Sequence, residues 1–152
     1  MRTAESVFER IDKEISPFNG YKEALAALER LTPGYKYCFA FHYVDADICN
    51  GGITQLYENP TWVLITTAVE ACNCAGAFEL EMLLRQVVLY YHQRGRSRLK
   101  KKLCPDFFDG LDLSTKKTLS ELEDEYLSLE PERIAIVSRL AESNDPSVWH
   151  AA

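Results

Sequence analysis

The sequence predicts an all-α domain, and three observations carry that prediction. Apolar residues recur at spacings of three and four through segment after segment. Clusters of Gly, Pro, Asn and Asp separate these segments. The aromatic-rich stretch Tyr35 to Ile48, whose composition would suit a strand, fails strict alternation across His42-Tyr43-Val44. It places Tyr37, Phe41, Val44 and Ile48 on one helical face instead. At 152 residues the chain has the length of a single domain with one core, and about six or seven helices fit it.

Residues 1–33 read as a two-helix N-terminal part. Thr3 caps a segment to about Ile15, with Val7, Phe8, Ile11 and Ile15 at helical spacing. Ser16-Pro17-Phe18-Asn19-Gly20 breaks it, and Tyr21 to Leu31 forms a second helix with Leu25, Leu28 and Leu31 as its stripe. After Thr32-Pro33-Gly34 comes the 35–48 helix, which Asn50-Gly51-Gly52 should end, because these residues tolerate positive φ. Ile53 to Tyr57 would be a short helical turn. Asn59-Pro60 supplies a cap and a first-turn proline for a helix to about Cys74. That segment is apolar nearly all round, and its β-branched content leaves a strand as the alternative. Beyond Gly76, Phe78–Gln93 reads as a helix burying Leu80, Leu83, Leu84, Val87, Val88 and Tyr91. A loop from Cys104 to Leu113 follows, then a helix capped by Ser114 to about Leu129, and another opened by Pro131 to about Ser143. Residues 144–152 read as a frayed tail from which Trp149 can dock back onto the domain.

The net charge of −6 is unevenly distributed. Residues 1–60 carry −3, residues 61–104 carry +4 and residues 105–152 carry −7. No apolar run is long enough to span a membrane, and the N-terminus reaches charge at once, so the expected location is cytoplasmic. Five cysteines, an odd number, fit a reducing compartment, and three sit inside apolar segments. Cys72 and Cys74 diverge by about 200° on a helix, which does not favour a shared metal ion. No metal and no cofactor are expected.

Catalysis finds little support. His42, His92 and His150 are scattered with no nucleophile motif around them, and Gly51-Gly52 lacks the setting of a phosphate loop. No catalytic residue is assigned, and the expected function is non-enzymatic. The basic run Arg94–Lys102 has no interleaved aromatics and reads as a solvated helix end, so direct nucleic-acid binding is not expected. Carboxylates crowd the C-terminal third instead. Glu121 and Glu125 lie four apart on one helical face beside Asp124, and a row of this kind can imitate phosphates before a basic protein. Asn50, Gln55, Tyr57 and Asn59 centre the alternative, a small-ligand or enzymatic site. Their amides suit that role or the knitting of a turn.

Together Asn50-Gly51-Gly52, Gln55, the aromatic Tyr57 and Asn59 resemble the signature of the DNA mimic protein 19-like family, largely a domain of unknown function. The resemblance runs from about Tyr37 through Gln93 and extends to the Leu111-Asp112 region and the acidic Leu122–Tyr126 segment. Ile53 and Leu56 stand where the family pattern carries aromatics, and Pro60 where it carries a small polar residue. What the resemblance implies is a helical fold and a protein partner, a DNA-binding regulator. The family's namesake looks like an acidic dimer occupying such a regulator's DNA-binding face, so a homodimer is implied as well. The mimic surface is a charge pattern, and the motif itself assigns no residue to it.

Overall fold

The computed structural model describes residues 2–15, 21–95 and 112–149. Among these are seven helices of eight residues or more: α1 (Ala4–Glu14), α2 (Tyr21–Leu28), α3 (Pro33–Glu58), α4 (Ile65–Cys74), α5 (Phe78–Gly95), α6 (Leu113–Ser128) and α7 (Glu130–Glu142). A single turn, α8 (Pro146–Trp149), ends the described chain. No strand occurs among the described residues, so the all-α class holds, and both strand alternatives resolve as helix. The loop from Cys104, most of the basic run and the 16–20 breaker lie outside the described residues.

α3 is the spine, with α1, α4, α6, α7 and α8 packed against it. Its apolar face explains this, since Cys38, Phe41, Val44 and Ile48 are all almost inaccessible to solvent. Tyr37, expected on that face, is half-buried at its edge. The expected stop at Asn50-Gly51-Gly52 is a kink: the helix bends at Gly51 and Gly52, then resumes to Glu58 and buries Ile53, Leu56 and Tyr57. α1 begins as expected, with a capping box in which Thr3 and Ser6 exchange side-chain and backbone bonds.

Several boundaries differ from expectation. Asn59 does not cap with its side chain, because its amide turns to Asp47. Pro60–Leu64 winds as a 3-10 turn before α4 begins. α6 starts at Leu113 with Asp112 as its cap, not Ser114: the Asp112 carboxylate accepts from the Thr115 N–H at 2.8 Å. The tail expected to fray from 144 turns once more at Pro146–Trp149, and Trp149 docks back as the sequence allowed. It is 6% exposed and donates from Nε1 to the Leu140 carbonyl at 3.0 Å. Its ring stands edge-on to Tyr35 and lies over Gly34, where a Cβ would come within 2.6 Å of the indole.

Candidate functional site

Gly52 decides the local geometry of the Asn50-Gly51-Gly52 run. Its φ of 79° and ψ of −177° fall in a region essentially reserved for glycine. Ahead of the resumed helix this leaves the Ile53 N–H without an intrahelical acceptor. Glu123 of α6 supplies one, its Oε2 accepting from the Ile53 N–H at 3.1 Å. A Cβ on Gly52 would collide with that carboxylate.

The remaining signature residues turn inward. Asp47, 9% exposed on α3, collects them. Its Oδ1 accepts from Gln55 Nε2 at 3.2 Å and Asn59 Nδ2 at 2.8 Å, and its Oδ2 accepts from the Thr61 hydroxyl. These bonds compensate for desolvating the carboxylate and tie both sides of the kink together. Tyr57 packs its ring on Trp62 and Tyr91 and donates its hydroxyl to the Val87 carbonyl at 2.7 Å. Burial pushes that phenol's pKa up, which keeps it the protonated donor this bond requires. Asn50 and Gly51 are exposed.

A second polar cluster ties the other arm of α3 to α6 and α7. Arg133 donates from Nη1 to Asp45 Oδ1 at 2.6 Å and to Cys49 Sγ at 2.9 Å, and Tyr126 donates to the same Asp45 oxygen at 2.8 Å. Burial, then the adjacent Asp45, holds the Tyr126 phenol well above its usual range. Burial draws Arg133 down, but its Asp45 partner outweighs that and raises it on balance. Burial first, then Asp45, pushes the Cys49 thiol up despite the guanidinium, so it is a hydrogen-bonding thiol and a poor nucleophile at neutral pH. Cys38 and Cys72, both buried, are pushed up to about 12 by desolvation. Cys72 faces the core and Cys74 faces solvent, as two positions of divergence dictate. Among the described residues, no group of three or more His, Cys, Asp or Glu is arranged to hold a metal ion.

On α6 the buried stripe is Thr115, Leu119, Leu122 and Tyr126, so the opposite side faces water. Glu121, Asp124 and Glu125 are exposed there, with Glu121 3.6 Å from Lys117 in a pair that is itself largely exposed. Glu123, between them in sequence, points instead to the kink. The motif and the acidic face are therefore joined through one side chain.

The family model described as DMP19-like protein matches residues 29–144. The chain belongs to the DMP19-like family. The matched span takes in α3 with its kink, α4, α5, and α6 and α7 with their carboxylates. It leaves α1 and Trp149 outside. No curated protein and no solved structure matches the chain significantly.

Sequence reasoning missed Asp45, Asp47, Glu123 and Arg133 as structural partners. One signal was available: Asp47 beside Ile48 in an apolar helix, and Arg133 in phase with Ile136 and Leu140, put charges on core faces, where they need partners. Away from these clusters, an open groove of about 390 Å³ lies between α4 and α5. Thr66, Val69, Glu70, Arg85, Val88 and Leu89 line it, and neither the motif nor the acidic face reaches it. No described helix is long and apolar enough to cross a membrane.

Proposed function

We propose that this member of the DMP19-like family is a non-enzymatic protein-binding domain whose acidic α6 face engages a basic DNA-binding regulator as a DNA mimic. The observation that carries this is the outward placement of Glu121, Asp124 and Glu125 on a helix anchored along its other side. At about 1.5 Å rise per residue these carboxylates fall within roughly 6 Å of helix axis. Duplex DNA offers one phosphate per roughly 1.7 to 3.4 Å of axis, so the linear charge density is comparable. A homodimer and a cytoplasmic setting belong to the same proposal. We take the elbow residues as architecture, not as a ligand site, because the amides of Gln55 and Asn59 and the Tyr57 hydroxyl already have internal partners.

The test is competition. A labelled duplex is bound to a basic DNA-binding protein that tolerates any sequence, and the purified chain is added at low and high salt. The chain should displace the duplex, with strong salt dependence. Reversing Glu121, Asp124 and Glu125 to Lys should weaken displacement at least tenfold while leaving the circular dichroism unchanged. Undiminished displacement by the reversed variant overturns the proposal.

A further inference from the structure

We infer that the Asn50-Gly51-Gly52 elbow is the seat that fixes the acidic face of α6, with Gly52 and Glu123 as positioning residues. Its consequence for binding rests on the acidic-face proposal above. Four acidic residues lie between 121 and 125, and one of them, the half-buried Glu123, is turned to the kink to accept from the Ile53 N–H. Gly52 makes that contact possible twice over. Its conformation frees the Ile53 donor, and its missing Cβ leaves the space that the carboxylate fills.

The contact gains meaning from the one three residues later. Tyr126 bonds Asp45 on the arm of α3 before the kink, while Glu123 bonds Ile53 on the arm after it. Residues three apart share a helix face, so α6 is clasped at two points that straddle the bend. Leu122 and Tyr126, both buried, close the same side. A helix held by apolar packing alone can slip, and one residue of slip turns its surface by about 100°. The two polar contacts select one rotation, and that rotation sends Glu121, Asp124 and Glu125 outward together. The family signature thus acts on the acidic face through Glu123, without touching a partner.

Hydrogen exchange and duplex displacement on the full chain test this together, using Glu123→Ala, Glu123→Gln and Gly52→Ala. Glu123→Ala should raise amide exchange in residues 53–56 and 119–126 at least tenfold, and weaken displacement several-fold with the exposed trio intact. Glu123→Gln keeps an oxygen that can accept from Ile53 and should restore both. Gly52→Ala should behave like Glu123→Ala. Unchanged exchange in Glu123→Ala overturns the seat, because the contact then positions nothing. Native exchange with lost displacement in Glu123→Gln also overturns it, since the carboxylate would then act on the partner directly. If only the Glu121, Asp124 and Glu125 reversal leaves displacement intact, the acidic-face proposal fails while exchange still decides the seat.

Discussion

At the scale of single residues, the molecule is organised by carboxylates in places where an unpaired charge would be costly. Asp47 meets the cost with three side-chain donors and Asp45 with a guanidinium and a phenol. Glu81, 8% exposed on α5, does so with Asn73 Nδ2 at 2.9 Å and the Arg85 guanidinium at 2.7 and 2.8 Å. The Asn73 bond first, then those of Arg85, hold the Glu81 carboxyl below its usual range against desolvation. The sign of its pH dependence follows. A carboxyl depressed in the folded state contributes stability above the unfolded value of about 4.3, and loses it as pH falls through the lower folded value. Glu81→Gln should therefore cost about 1 kcal/mol at pH 7. Urea unfolding should show the penalty shrinking below about pH 4, and an equal penalty at pH 7 and pH 3 would refute the assignment. The Glu81–Arg85 pair is legible as an i, i+4 spacing, but Arg133 and Asp45 stand 88 positions apart and no spacing joins them.

At the scale of elements, local rules located helices well and their ends less well. The apolar phase of α3 and α5 appears in the burial of Phe41, Val44, Ile48, Leu80, Leu83, Leu84 and Val87, because a period of 3.6 is a property of the chain itself. Ends depend on which donor a small polar side chain reaches, and that varies with tertiary context. Asn59 looked like a cap and serves Asp47, and Ser114 looked like a cap two residues inside the true one. The true cap makes a clean prediction. Asp112→Ala should destabilise by about 1 kcal/mol, whereas Ser114→Ala should stay within about 0.5 kcal/mol of the parent. Chemical denaturation of both variants checks this, and the reverse order would restore Ser114 as the cap.

At the scale of the whole molecule, the two ends of the described chain meet at Trp149. The indole closes over Gly34 at the start of α3, its N–H is satisfied by α7, and the Arg2 guanidinium lies 4.2 Å above the ring. Trp149→Ala should cost about 3 kcal/mol and lower the melting temperature by several degrees; an unchanged melting curve would show that the docked turn carries no stability. The sequence by itself determined the helical class, the position of the bend and the gathering of negative charge in the C-terminal third, because period, glycine and composition are local properties. Only the tertiary structure decided what the bend is joined to. Glu123 reaches Ile53 across 70 positions, and no periodicity encodes a contact made between helices once both have folded. Which of four neighbouring carboxylates turns to the kink, and which three face solvent, was settled by packing.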